Sequence, residues 1–270
     1  MLSAWVRKYG YRTQSIWTML TGFDQPLQTV AMFLGQAKPG NKLLRVRRSG
    51  LEFTVRGVWD TWTVKETVLD HCYEAFGYTF QPGWTFVDIG GFIGDFAIVA
   101  ATRDPGNRVF SFEPFPESLA LFRENARRNQ VPNIEILEMA VSGDGRPLAM
   151  DRSSGEPLMF ECIDVSPDQP PDQDVTTSTS LAAFMDDRGI DRIDYLKLDC
   201  EGGEYDILLN APQQVLDRIQ RIVMEYHDHL TPHRHGELVC FLKGAGFVVD
   251  VFPSPVRPET IGYLRAARAV

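Results

Sequence analysis

The segment Thr85-Phe-Val-Asp-Ile-Gly-Gly-Phe-Ile-Gly94 contains the strongest pattern from which the fold can be predicted. Its first five residues form a short apolar run with one acid, which predicts a strand that ends at the glycines. An apolar helix is expected to follow over 94–103. Glycines let the backbone approach a ligand, and the N-terminus of the next helix offers free N–H groups. This unit therefore predicts a ligand site directly after the strand.

The alternation of strands and helices continues from this unit to the C-terminus. Further strands are expected at 108–112, 134–141, 193–198, 222–227, 247–252 and 261–265. Because no helix lies between the last two, they should form an antiparallel hairpin. The pattern indicates an α/β fold with a doubly wound, mostly parallel, seven-stranded sheet and an antiparallel C-terminal hairpin.

The regular alternation of predicted strands and helices begins near residue 83. We expect 1–82 to be an N-terminal extension or lid of helices and a β-hairpin, and 83–270 to be the ligand-binding domain. Within the extension, 42–58 should form two strands and 64–76 a helix.

The segment between the third strand and the next helix is irregular. A strand is a candidate at 158–165, whereas 166–177 (SPDQPPDQDVTT) is too polar and proline-rich to pack. We therefore predict a surface loop over 166–177.

Composition excludes several classes of protein. The chain of 270 residues carries 36 acidic and 27 basic residues, a net charge of −9, which disfavours binding to a nucleic-acid backbone. No apolar run approaches the roughly 20 residues that cross a bilayer. Four scattered cysteines suggest neither a zinc module nor a disulfide framework. A soluble, cytoplasmic enzyme is the expectation.

Acidic residues follow the first two strands of the predicted sheet, where open α/β sheets bind ligands. Asp88 precedes Gly90 by two residues, and Gly94 completes a Gly-x-x-x-Gly turn that differs from the nicotinamide fingerprint. An acid at this place would repel a pyrophosphate but could accept hydrogen bonds from an ammonium group. Glu113, after the second strand, could accept both hydroxyls of a ribose.

Two later strands also end in ionisable side chains that are suited to catalysis. Asp199, Glu201 and Glu204 follow the strand at 193–198 beside two glycines. Glu225 and His227 share one face of the strand at 222–227. Imidazole is the natural proton acceptor near neutral pH, so His227 is the candidate base.

Taken together, these motifs resemble the FkbM-type family of S-adenosylmethionine-dependent methyltransferases. The resemblance covers roughly 42–250 and rests on Val87-Asp-Ile-Gly90, Gly94-Asp95-Phe96, Phe112-Glu-Pro114, Glu124-Asn125, Ala140-Val-Ser142, Ile190-Asp-Arg-Ile-Asp194, Leu196-Lys-Leu-Asp-Cys-Glu-Gly202, Glu204-Tyr205 and Glu225-Tyr-His227. In one departure, Gly91-Phe92 stand where the family usually has Ala-Asn.

The resemblance implies S-adenosylmethionine as cofactor and 83–270 as the methyltransferase domain. It implies that Asp88 and the glycine turn hold the methionine end and that Glu113 takes the ribose diol. By the same resemblance, Ala140 and Val141 flank the adenine, and Asp199 lies near the transferring methyl and the amino group.

The activity expected is methyl transfer to a hydroxyl of a small acceptor, either a natural product such as a polyketide or macrolide, or a sugar. His227 is the expected base, oriented by Glu225 or Asp199, and Asp199 is the competing candidate.

Three alternatives stay open at this level: transfer to nitrogen or carbon, a nicotinamide oxidoreductase, and a non-enzymatic assembly partner. A metal is not favoured. If magnesium binds, Asp199, Glu201 and Asp228 are its expected ligands, with Glu225 and His227 nearby. The oligomeric state is open, a homodimer included.

Overall fold

The structure is a computed structural model that describes residues 14–36, 40–166, 174–254 and 257–268. Its centre is a seven-stranded sheet, whose strands are β3 (Thr85–Ile89), β4 (Arg108–Phe112), β5 (Ile134–Leu137), β11 (Tyr195–Leu198), β12 (Arg221–His227), β13 (Phe247–Pro253) and β14 (Ile261–Arg268). Across the sheet they lie in the order β13-β14-β12-β11-β3-β4-β5. All neighbours are parallel except β14, which pairs antiparallel with β12 and β13. The predicted sheet and its C-terminal hairpin are confirmed.

Helices cover both faces of this sheet. They are the helical residues 14–22 (α1), α2 (Pro26–Phe33), α3 (Val58–Val64), α4 (Asp95–Arg103), α5 (Pro116–Arg128), α6 (Leu181–Asp187), α7 (Gly203–Leu209), α8 (Gln213–Leu216) and α9 (His235–Gly244). None of the helices in the described part of the chain is long and apolar enough to cross a membrane.

Alternate strand residues feed two separate cores. Val87 and Leu196 pack with α6 to α9 on one face. Phe86 and Tyr195 pack with α4, α5 and the N-terminal residues on the other face. The strand order reverses at β3, whose neighbours are β4 and β11. Ligands of open α/β sheets bind at such a reversal, at the carboxyl ends of the strands.

The N-terminal extension packs onto the face that carries α4. Its hairpin, β1 (Lys42–Arg45) and β2 (Glu52–Val55), forms as predicted. Asn125 of α5 ties this hairpin to the domain, because its side chain accepts from the Thr54 N–H at 2.7 Å and donates to the Ile93 carbonyl at 3.0 Å.

The prediction of a single helix over 64–76 is wrong. Helix α3 begins earlier, at Val58, and continues into a π-helical turn over Lys65–Leu69. The chain then breaks at His71, whose φ is +53°, and a second π-helical turn runs over Tyr73–Gly77. Apolar spacing indicates a helical face but does not distinguish an α-helix from π-helical turns.

Two expectations for the middle of the chain also need correction. The strand predicted at 134–141 ends at Leu137, and β6 (Ala140–Val141) pairs outside the main sheet with β10 (Ser178–Thr179). In the segment expected to be a loop, β9 (Val175–Thr176) pairs with β7 (Leu148–Asp151). A third strand, β8 (Glu161–Asp164), completes this small antiparallel sheet, and 167–173 lie outside the described residues.

Candidate active site

The carboxyl ends of four strands bring one row of residues together. Phe112, Ile89, Leu198 and Met224 lie side by side in the register of the sheet. The next residue of each chain segment is therefore also in a row, in the order Glu113, Gly90, Asp199, Glu225. The row places three carboxyl groups and one glycine at the point where the strand order reverses.

A cavity of about 1030 Å³ opens over this row. A typical ligand pocket holds roughly 300–1,000 Å³, so there is room for more than one small molecule. Its lining includes most of the residues singled out from the sequence: Gly90, Glu113, Ala140, Val141, Asp199, Glu201, Glu225 and His227. Asp88, Gly94 and Asp228 do not line it.

The glycine turn approaches the end of β11 too closely for a side chain. Gly90 has a φ of +86°, and a Cβ added there would lie 1.8 Å from the Asp199 carbonyl oxygen. The Lys197 Nζ donates to the Gly90 carbonyl at 2.6 Å. The turn is therefore fixed by its contacts with the end of β11, and its backbone lines the cavity.

Asp88 faces Lys197 instead of the cavity. Asp88 is fully buried, with its carboxylate 3.0 Å from the Lys197 Nζ and 2.6 Å from the donating Ser111 hydroxyl. Burial raises the pKa of Asp88 although Lys197 opposes this effect. Asp88 therefore does not face the cavity, where we expected it to contact a ligand ammonium group directly. The charge of Asp88 is compensated within the sheet, and through Lys197 it supports the glycine turn.

Glu113 does line the cavity, and the backbone orients it. Its carboxylate accepts from the N–H of Phe92 at 2.7 Å and of Phe115 at 2.9 Å. Burial raises the pKa of Glu113 to about 7 against these two hydrogen bonds. A carboxylate offers about four acceptor positions, so two remain for a ligand.

Phe92 occupies the position where the resemblance leads one to expect asparagine. Its φ of +45° is in the left-handed region, which asparagine tolerates better than phenylalanine. The guanidinium of Arg56, which is paired with Asp60 at 2.9 Å, lies 5.2 Å from the centre of the Phe92 ring. A residue of the N-terminal extension thus packs on the glycine turn.

Two neighbouring aromatic rings form part of the cavity wall. Phe115 and Phe160 lie 5.2 Å apart between ring centres, and both line the cavity. Phe160 belongs to the insertion that holds the small antiparallel sheet. Flat apolar walls of this kind suit the face of a heteroaromatic base.

His227 is oriented by a residue that sequence reasoning did not assign to it. Its Nδ1 lies 3.3 Å from Glu204 and its Nε2 lies 3.7 Å from Glu201. Glu204 is fully buried and also accepts from the N–H groups of Cys200 and Gly202. The expected orienting contact from Glu225 or Asp199 is replaced by Glu204.

The two glutamates control the charge of this imidazole. Burial alone would lower the pKa of His227, but Glu201 and Glu204 outweigh it and raise the pKa well above its usual value. Burial raises the pKa of Glu201 to about 7 despite the attraction of His227. Glu201 also has a φ of +51°, a strained backbone of the kind that often occurs at functional sites.

Two further site residues come from the N-terminal extension. The Tyr73 hydroxyl donates to Asp199 Oδ2 at 2.6 Å, and the Thr67 hydroxyl donates to Asp95 Oδ2 at 2.6 Å. Burial raises the pKa of Asp95 to about 6, against the bond from Thr67. Neither residue belongs to a motif that could have indicated it, because each is far from its partner in sequence.

A carboxylate–imidazole cluster is the site's only arrangement of metal-ligand type within the described ranges. Asp199, Glu201 and His227 each offer one atom within 4.8 Å of the others. Asp228 is not part of it, because Tyr205 and the His235 backbone and ring donate to its carboxylate. The structure therefore does not bring Asp228 together with Asp199 and Glu201, the other two expected magnesium ligands. His227 forms ion pairs with Glu201 and Glu204, and these pairs explain why the side chains of the cluster lie close together.

A doubly wound sheet in this strand order, with a glycine turn after β3 and a carboxylate after β4, is a Rossmann-like α/β fold with its ligand site at the strand ends. Residues 88–249 match the family described as the methyltransferase FkbM domain. The chain belongs to the FkbM-type family of S-adenosylmethionine-dependent methyltransferases.

Two curated relatives and one solved structure illustrate what this chain is similar to. The 31-O-demethyl-FK506 methyltransferase FkbM of Streptomyces tacrolimicus is 30% identical over 231 residues, which cover 76% of this chain and 88% of the relative. Methyltransferase 1 of Beauveria bassiana is 24% identical over 221 residues, with the same coverage of 76% and 88%. A crystal structure of a methyltransferase FkbM from Methylobacillus flagellatus, 16% identical, matches 69% of this chain and 44% of its own with a TM-score of 0.45.

Proposed function

We propose that this protein transfers a methyl group from S-adenosylmethionine to a hydroxyl of a small acceptor, a natural product or a saccharide. The observation that carries the proposal is His227, a buried imidazole in the cavity wall whose Nδ1 is held by Glu204. An alcohol must lose its proton to attack, and an oriented imidazole is suited to accept it. The similarity to a relative whose name states an O-demethyl substrate supports transfer to oxygen.

The residues of the cavity fit the cofactor. Gly90 presents backbone at a place where no side chain could stand, which suits the methionine end. Glu113 keeps two acceptor positions for the ribose hydroxyls. Ala140 and Val141, which line the same cavity as the Phe115 ring, would flank the adenine. When bound, S-adenosylmethionine supplies an electrophilic methyl group.

Asp199 and His227 would act on the reacting groups. We place the Asp199 carboxylate near the cationic methionine end, because it follows Gly90 directly in the row of strand ends. His227 would take the acceptor's hydroxyl proton on Nε2, and Glu204 would stabilise the imidazolium that forms. General base catalysis contributes typically 10²–10⁴-fold in rate.

The acceptor would enter on the side of the N-terminal extension. Trp59, Trp62 and Phe76 line this part of the cavity, together with Tyr263 of the C-terminal hairpin. Trp62 is itself stacked on Phe33, with ring centres 5.3 Å apart. We therefore propose that the described residues of the extension, 14–36 and 40–82, form the wall that selects the acceptor. Aromatic walls suit the apolar face of a macrolide or sugar ring.

The test is methyl transfer from a ¹³C-methyl-labelled donor to a panel of hydroxylated acceptors. Mass spectrometry would detect the gain of one labelled CH₂, and NMR of the labelled carbon would identify the atom that carries it. We expect an O-methyl product. Labelled product with the methyl on nitrogen or carbon would contradict transfer to oxygen, and saturable binding of NAD without binding of S-adenosylhomocysteine would contradict the cofactor.

A further inference from the structure

The phenol of Tyr73 is aimed at one oxygen of Asp199. It donates to Oδ2 at 2.6 Å, and no other donor to Asp199 side-chain oxygens is found among the described residues. Asp199 lies in the row of strand ends, next to Glu225 and Gly90. In sequence, Tyr73 precedes the part of the chain that matches the family, which begins at residue 88. The N-terminal extension therefore reaches the centre of the site.

Tyr73 is itself held rigidly. Its ring meets Phe96 edge-on at 5.2 Å between centres, and the Lys197 Nζ lies 5.5 Å from its ring centre. Its backbone carbonyl accepts from the Tyr195 hydroxyl at 2.5 Å. Burial and the neighbouring Asp199 raise the pKa of Tyr73 well above its usual value, so the phenol keeps the proton that it donates.

An irregular backbone conformation on both sides of His71 places Tyr73 beside Asp199. Two π-helical turns, Lys65–Leu69 and Tyr73–Gly77, flank the break at His71. π-Helical turns are rare and occur frequently at functional sites. The first turn is fixed by the bond from Thr67 to Asp95. The second turn packs on β12 and β14, beside Glu225 and Tyr263.

We propose that Tyr73 is a positioning residue of the active site, which fixes the Asp199 carboxylate so that its other oxygen faces the cationic end of the methyl donor. The inference rests on the proposed function, since it requires Asp199 beside the donor. A carboxylate next to a sulfonium favours S-adenosylmethionine over the uncharged thioether of S-adenosylhomocysteine. Tyr73 would thus support discrimination between the substrate and the product of the cofactor.

The experiment is a double-mutant cycle on ligand affinity, measured by calorimetry with the full chain. S-adenosylmethionine and S-adenosylhomocysteine are titrated into the wild type, Tyr73→Phe, Asp199→Asn and the double variant. We expect Tyr73→Phe to lower the affinity ratio of the two ligands by roughly tenfold, the size of one hydrogen bond to a charged group. In the Asp199→Asn background, Tyr73→Phe should change the ratio less than about twofold.

Tyr226→Phe is the matched control. Tyr226 is fully buried on the opposite face of the sheet, and its hydroxyl has no hydrogen-bond partner among the described residues. Removing it should leave both affinities unchanged. Phenylalanine keeps the ring in both variants, so thermal melting should stay within a few degrees and confirm that each folds.

Three outcomes would overturn the inference. Tyr73→Phe could behave like the control, could weaken both ligands equally, or could add its full effect to that of Asp199→Asn. If the wild type binds neither ligand, the proposed function fails first. If Asp199→Asn alone leaves the ratio unchanged, the placement of Asp199 fails.

Discussion

At the scale of single residues, we propose that the imidazole of His227 and its two glutamates control the reaction. Glu204 orients Nδ1, and Glu201 lies near Nε2. The pair raises the pKa of His227, which makes the imidazole a stronger base but also keeps it protonated up to a higher pH. The same charges that increase basicity therefore set the pH range in which the base is available.

The rate of methyl transfer should rise with pH. His227 accepts a proton only when neutral, and its pKa lies well above the usual 6.5. Turnover should therefore be low at pH 6.5 and increase as the pH passes through the raised pKa. Glu201→Gln removes a negative charge next to the imidazole, lowers its pKa and should move this rise to lower pH. Turnover measured at saturating substrates from pH 5.5 to 9.5 checks both expectations. A rise that does not move in Glu201→Gln would exclude His227 as the titrating base.

Substituting His227 separates catalysis from binding. His227→Ala should reduce turnover by about 10²–10⁴-fold, the usual contribution of a general base. Its affinity for S-adenosylhomocysteine should stay near that of the wild type, since the proposed cofactor contacts come from other strand ends. Single-turnover kinetics and calorimetry measure the two effects. Equal losses in both would mean that His227 has a structural role.

The sequence predicted which residues stand at the strand ends, but not how they pair. Glu113 and Asp199 follow β4 and β11, and Glu225 and His227 lie in the last residues of β12, so all four line one cavity. The apolar runs of the sequence reveal these strand ends. The pairing of Asp88 with Lys197 depends on the register between β3 and β11, which no local pattern contains.

At the scale of elements, boundaries were predictable where the local chemistry is strong. Helix α5 begins at Pro116 and ends at Arg128, which the sequence signals locally, since proline favours the first turn and arginine the last. The break at His71 and its flanking π-helical turns were not predictable, because contacts with the distant Asp95 and Asp199 stabilise them. The pairing of β9 with β7 is likewise set by tertiary contacts within a polar segment.

The glycine turn is the element most sensitive to change. In Gly90→Ala the new Cβ would lie 1.8 Å from the Asp199 carbonyl, and the φ of +86° disfavours any side chain. We expect a loss of several kcal/mol, above the roughly 1–2 kcal/mol of a left-handed alanine, and loss of cofactor binding. Gly83→Ala is the matched control, because its φ is +73° and nothing lies within 4 Å of the added Cβ.

Denaturant unfolding of both variants measures the difference. Gly83→Ala should show only the backbone cost and keep its affinity for S-adenosylhomocysteine. If Gly90→Ala were no less stable than Gly83→Ala, the close approach of the turn to β11 would be refuted.

At the scale of the whole molecule, the site belongs to three parts of the chain. The sheet contributes the row of carboxyl groups, the insertion with the small antiparallel sheet contributes Phe160, and the N-terminal extension contributes Tyr73. Residues of the sheet core, such as Phe86 and Tyr195, share one cluster with residues of the extension. The extension and the sheet should accordingly unfold together.

The central claim is that the row of strand ends forms one site for an adenosyl cofactor. Calorimetric titration of the full chain with S-adenosylhomocysteine tests it most directly. We predict saturable binding at one site per chain, weakened roughly tenfold by Glu113→Gln, which removes a charged acceptor from the ribose hydroxyls. Absence of saturable binding, or binding that Glu113→Gln leaves unchanged, would contradict the claim.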